Sequence, residues 1–139
     1  MFPFSFVMKN NFICPQCNGY LNVGDHIILS AETNHGDSGL ILMNPELGNY
    51  GVMKHQDFKI REGEKYDFYC PICHEKLAAD IHDNLSHIIM IDEKGDEYQI
   101  LFSKIAGEKS TYKIIGESVE IYGDHHSNYI DFINLSHNK

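Results

Sequence analysis

At 139 residues the chain has room for one ordinary domain, or for one small metal-stapled unit joined to one small sheet unit, and two independent large cores are excluded. Apolar residues at 42% and aromatics at 12%, with eight Tyr, eight Phe and no Trp, suit a strand-rich globular protein more than a disordered one. Lys and Arg number 11 against 20 Asp and Glu, a formal charge of −9 that argues against nucleic acid as a partner, because phosphate backbones need a basic face. Lys54, Lys59 and Arg61 form the densest basic group, and acids follow at once.

The opening MFPFSFVMKN is apolar for eight residues. It has no basic n-region, holds Pro3 inside the apolar part and lacks a small-residue cleavage site, so it reads as a strand or a core-covering arm. No other apolar run approaches the ~18 residues of a membrane helix. The expectation is a soluble, cytoplasmic protein in a reducing compartment, where the N-x-S sequons at Asn84 and Asn134 carry no sugar.

Residues 1–13 and the YDFY of residues 66–69 each read as a short strand delivering a C-P-x-C turn, CPQCNGYL at 14–21 and CPICHEKL at 70–77. Between the turns lie residues 18–69, far more than the ~12 to 20 residues of compact zinc motifs, so a folded insert is expected. HIILSAET (26–33), the polar turn NHGDSG and LILMN (40–44) read as a hairpin. A second pair of strands is expected at Tyr50–Lys54 and Asp57–Ile60, with REGEK as the next turn. LAADIHDNL then places Leu77, Ile81 and Leu85 four apart, the spacing of a short helix. From Ser86 the rhythm is an antiparallel meander of about four strands: SHIIMID, EYQILFSK, STYKIIG and ESVEIYG. Tyr98, Ile100 and Phe102 share one face of a strand, as do Tyr112 and Ile114. Tyr129, Phe132 and Ile133 allow a terminal helical turn. The expected fold is mostly β, with a four-cysteine unit over residues 1–83 that carries the hairpin insert, and a meander over residues 84–139 packed on it.

The four cysteines are the only ones in the chain. Each C-x-x-C turn converges two sulfurs and lets backbone N–H groups donate to them, and two such turns make a closed tetrahedral thiolate set of the kind structural zinc prefers. Cys14, Pro15, Cys17 and Cys70, Pro71, Cys73 resemble the paired knuckles of a zinc-ribbon or rubredoxin-like domain. That resemblance implies Zn2+ as a structural cofactor on Cys14, Cys17, Cys70 and Cys73. Two disulfides, a redox dithiol and iron in a rubredoxin-like electron-transfer site are the alternatives; rubredoxin-like knuckles read C-x-x-C-G, where this chain has Asn18 and His74. His74 as a substitute ligand is weighed and set aside, because four sulfurs suffice. With four protein ligands no position is left for water or substrate, so the metal is expected to be non-catalytic.

Nine histidines invite a second site. Asp124, His125 and His126 beside Tyr129 form one group, and Asp80, His82, Asp83 and His87 form another, in which a helix would bring Asp83 and His87 to one face. A metal-dependent enzyme would use these groups, and a solvated turn is the competing reading of the first. His35, Asp37 and Ser38 lie in one turn and need no catalytic explanation. GEKS at 107–110 lacks the spacing of a phosphate-binding loop. The scattered acids read as a solvated surface or as a face for a basic partner. Taken together, the sequence points to a zinc-stabilised, non-enzymatic binding or adaptor protein with a protein partner.

Overall fold

The computed structural model describes residues 10–125 and 129–137. The expected arm at residues 1–9 therefore lies outside the described residues, as does His126. Ten strands and one helix follow in order: β1 (Asn11–Ile13), β2 (Asn22–Val23), β3 (His26–Glu32), β4 (Ser38–Met43), β5 (Val52–Lys54), β6 (Asp67–Tyr69), β7 (Leu85–Ile91), β8 (Glu97–Ser103), β9 (Thr111–Ile115), β10 (Ser118–Tyr122) and α1 (Ile130–His137). The mostly β expectation holds. One antiparallel sheet, here the N-terminal sheet, has the order β2-β3-β4-β5 with β6 also on β3; the C-terminal sheet has the order β1-β7-β8-β9-β10.

Alternation is clearest in β3 and β7. β3 buries Ile27, Leu29 and Ala31, β7 buries Ser86, Ile88 and Met90, and the residues between them face the other way. Phe12, Cys14, Leu21, Leu29, Cys70, Leu77, Ile88 and Met90 join in one core between the sheets. A second core lies on the outer face of the C-terminal sheet, where Leu85, Leu101 and Tyr112 meet Tyr129 and Ile133 of the α1 region. The expected helical turn at the end of the chain is this α1.

Two expectations are corrected. Residues 77–85 form no helix: Leu77 N donates to Phe68 O at 2.8 Å, His87 N donates to Leu77 O at 3.1 Å, and Ala78 bridges Ser86, so the segment is drawn into extended pairing before a turn. Residues 57–60 form no strand either. Phe58 N donates to His55 O at 3.0 Å in a turn, and the Phe58 ring packs over Gly39, where a β-carbon would come within 2.6 Å of it. Burying Phe58 takes the chain away from the edge of β5.

The C-P-x-C turn proves to be the start of a much longer repeat, spanning residues 11–54 and 67–113. Cys14 N donates to Gly19 O and Cys70 N to Glu75 O, both at 3.0 Å; Asn18 N donates to Cys14 O and His74 N to Cys70 O, both at 2.9 Å. Each hairpin then closes through a five-residue loop, Thr33–Asp37 or Asp92–Asp96, with a glycine in the left-handed region at φ 88° (Gly36) or 87° (Gly95). Asp92 Oδ1 accepts the N–H groups of Lys94 and Asp96, and Thr33 Oγ1 accepts those of His35 and Asp37. Met43 pairs with Val52 and Phe102 with Thr111, so the connections to the third strands have equal length, with Gly48 (φ 91°) matching Gly107 (φ 88°). Corresponding positions differ by 56 in the cysteine turns and by 59 from β3 onward, because the second repeat has three extra residues between Leu77 and Leu85.

The leading strands are exchanged. β1 pairs with β7 of the second repeat (Phe12 with Met90), and β6 pairs with β3 of the first (Phe68 with Ala31). This reciprocity makes the two repeats partners across an approximate two-fold, and it brings both cysteine turns to the junction.

Candidate metal centre

Each pair of cysteines sits where a leading strand ends and turns back. At Asn18 and His74 the backbone is in the left-handed region, φ 60° and 68°, the place where a glycine would be unstrained. Gly19 has a separate reason: a β-carbon there would lie 2.7 Å from Ile72 Cδ1 and 3.2 Å from Cys17 Sγ, so its absence lets Ile72 of the other turn close over Cys17. Sequence reasoning named neither role, although the glycine directly after C-x-x-C-N was a usable signal.

All four sulfurs lie within 4.8 Å of one another, and among the described residues no other group of three or more His, Cys, Asp or Glu side chains is placed to hold a metal. Cys14 Sγ is 3.8 Å from Cys73 Sγ, and Cys17 Sγ is 3.8 Å from Cys70 Sγ. A tetrahedron with metal–sulfur bonds of about 2.3 Å has edges of about 3.8 Å, so the two cross-turn distances fit a four-thiolate ion. The same distances are far too long for a disulfide, and all four cysteines are free. Backbone N–H groups support the sulfurs: Gln16 donates to Cys14 and Gly19 to Cys17 at 3.3 Å, while Ile72 and Cys73 donate to Cys70 at 3.3 and 3.4 Å.

Cys14 and Cys70 are fully buried, whereas Cys17 is at the surface. Burial pushes the Cys14 thiol from its ordinary 9.0 up to about 12, against the pull of the backbone N–H groups of Cys17 and Gln16. At Cys70 burial acts in the same sense but is outweighed by the N–H groups of Cys73 and Ile72, and the thiol falls below its ordinary value. Without a cation the set therefore keeps a proton on Cys14 at neutral pH, and a bound metal must displace it. Metal affinity is accordingly expected to rise with pH by at least about tenfold per unit between about pH 6 and 8. Competition against a chromogenic chelator across that range checks this; an affinity flat with pH would overturn it.

Among the described residues the histidine and aspartate groups do not converge. His82 lies edge-on to the rings of Tyr129 and Phe132, at 4.8 and 4.7 Å between centroids, and its Nδ1 accepts from Asn84 N. His87 is on β7 and bonds Gln99 across the strand pair, so the helical face proposed for it with Asp83 does not exist. Asp80 and Asp83 are exposed. His125 Nδ1 accepts from Lys109 N at 2.9 Å and its carbonyl accepts from Ser110 Oγ at 2.7 Å, which ties a loop rather than forming a site, and Asp124 beside it is exposed. His35, Asp37 and Ser38 stay in the hairpin loop, where His35 faces Glu64 at 3.5 Å. A cavity of about 280 Å3 opens between the sheets, lined by Ile41, Met43, Tyr50, Ile100 and Phe102 among others, and no histidine or aspartate of the described residues lines it. No helix of the described residues is long and apolar enough to cross a membrane.

No protein-family profile, curated protein or solved structure matches this chain.

Proposed function

We propose that this chain is a small, cytoplasmic, non-enzymatic binding protein in which a structural zinc ion on Cys14, Cys17, Cys70 and Cys73 fixes the frame and the surface recognises a protein partner. The closure of the sulfur set carries this reading: four thiolates with cross-turn separations of 3.8 Å leave an ion no open position for water or substrate. Asn18 and His74, standing where rubredoxin-like iron knuckles have glycine, favour zinc over iron. A charge of −9 and exposed apolar side chains such as Val23, Leu40 and Met53 favour a protein partner over nucleic acid.

Elemental analysis of untagged protein, with a visible spectrum, tests the metal. One zinc per chain in a colourless preparation is the expected result. Iron with visible thiolate absorption would replace this reading with electron transfer. Two metals per chain would overturn the non-enzymatic assignment, and none would overturn the staple.

A further inference from the structure

The two repeats match in backbone but differ in what covers the outer faces of their sheets. On the C-terminal sheet the outward positions include Ala79, His87, Gln99, Leu101 and Tyr112. Their counterparts on the N-terminal sheet, by the registers of the paired strands, are Val23, Ile28, Leu40, Leu42 and Met53. Ala79, Leu101 and Tyr112 are buried at 8%, 7% and 0% exposure, because Tyr129 and Ile133 lie on them. Val23, Leu40 and Met53 are exposed at 66%, 55% and 51%.

Single exposed apolar side chains are ordinary, but these are contiguous. Leu42 pairs directly with Met53, Leu40 is two residues along the same face, and Ile28 lies opposite Leu42. The edges differ in the same way. β9 is flanked by β8 and β10, whereas β5, the counterpart of β9, pairs among the described residues with β4 alone, and all three of its residues are exposed. After β5 the chain turns inward to bury Phe58, while after β9 it continues into β10 and α1. Among the described residues the first repeat thus has the platform for a strand and a helix without supplying either.

We infer that the outer face of the N-terminal sheet docks a strand-and-helix segment of a partner protein whose strand carries an acidic side chain opposite Lys54. The strand extends the sheet from β5, and the helix lays apolar side chains over Val23, Leu40, Leu42 and Met53. The internal counterpart defines the occupant: an antiparallel strand followed by a helix with large side chains four apart, as Tyr129 and Ile133 are. Charge defines the rest. Lys54 at the β5 edge is the counterpart of Lys113, whose Nζ lies 3.9 Å from Glu120 Oε2 of β10, so the docked strand carries an acidic side chain opposite Lys54, while the net charge of −9 disfavours a second copy of the chain as its source. This inference rests on the binding-protein reading and names its partner.

The probe is a synthetic peptide with the sequence of residues 117–137, which keeps Glu120 for Lys54, titrated into zinc-loaded full-length protein and followed by backbone amide NMR. Saturable shifts at β5 and around Val23, Leu40, Leu42 and Met53 are expected, weakening as salt rises. The double variant Leu40→Gln, Met53→Gln should lower affinity by at least about tenfold while leaving the melting temperature and the metal content unchanged. The inference is overturned by shifts confined to Leu101 and Tyr112, by no binding at about 1 mM peptide, or by a dimer that the same double variant dissociates, which would make a second copy the occupant. None of those outcomes disturbs a stoichiometry of one zinc per chain, so failure here and failure of the metal reading are told apart.

Discussion

Cys70→Ser is expected to release the metal and cost the fold about 4 kcal/mol or more, most of a typical domain's margin of about 5–15 kcal/mol. A ligand held at about a thousand times its dissociation constant stabilises the native state by about 4 kcal/mol, and the free energy of a structural thiolate site is largely folding free energy. A second loss comes from the site of substitution. Cys70 has no exposure and sits in the core with Phe12, Leu29 and Leu77, so the serine hydroxyl enters an apolar surround while the N–H groups of Ile72 and Cys73 lose their sulfur acceptor. At this chain length the melting midpoint should fall by roughly 15 °C. Cys17→Ser separates the two losses: Cys17 is at the surface, so its replacement removes the ligand without burying a hydroxyl, and it should cost less than Cys70→Ser. Chelator should lower the wild-type midpoint towards that of Cys17→Ser and leave the variant unmoved. A Cys70→Ser protein that melts like wild type and keeps its metal would refute the staple.

The meander and the cysteine turns were legible because their signals are local. β7 alternates residue by residue from Ser86, Tyr98, Ile100 and Phe102 recur at every second position of β8, and the two C-P-x-C turns state their own geometry. The helix expected at residues 77–85 shows where spacing misleads: Leu77 belongs to the core between the sheets and Leu85 to the core under α1, so their separation reflects two different burials rather than one helical face. Residues 57–60 carry a strand-like Phe58 and Ile60, but whether that ring lies along a sheet edge or over Gly39 is decided by a glycine far away in the chain. Among the described residues the histidine groups are close in sequence only: the fold gives His82 to aromatic rings, His87 to Gln99 and His125 to the backbone of Lys109. The repeat beyond the cysteine turns leaves only faint marks in the sequence: Gly36-Asp37 and Gly95-Asp96 close both hairpin loops, and Ile41-Leu42 and Ile100-Leu101 recur in the following strands. Three extra residues before β7 and outward faces of different polarity hid it.

Neither half of the chain is expected to fold alone, although each contains a complete repeat. A break between Glu62 and Gly63 would give fragments 1–62 and 63–139, with the exposed turn as the only continuous backbone lost. The first fragment keeps β2 to β5 but loses β6, whose Phe68 and Tyr69 pair with Ala31 and Ser30; the second loses β1, whose Phe12 pairs with Met90. Each also keeps only two of the four sulfurs, and two thiolates cannot close a tetrahedral site. The exchange of leading strands therefore makes each sheet depend on the other fragment, and the four-cysteine site is the one element both fragments must share. Mixed at equal concentration with zinc, the fragments should regain the strand spectrum of the intact protein with one metal per pair. Because association is now bimolecular, the melting point should rise with fragment concentration. A cooperative melt and dispersed amide spectrum from fragment 1–62 alone would sink this account, since it would mean that the first sheet holds its shape without β6 or the second pair of cysteines. The expected result instead answers why one small device occurs twice: the two C-P-x-C turns are the halves of a single site, built by the same local bonds on either side of the two-fold, and an ion held at the junction would secure both exchanged strands.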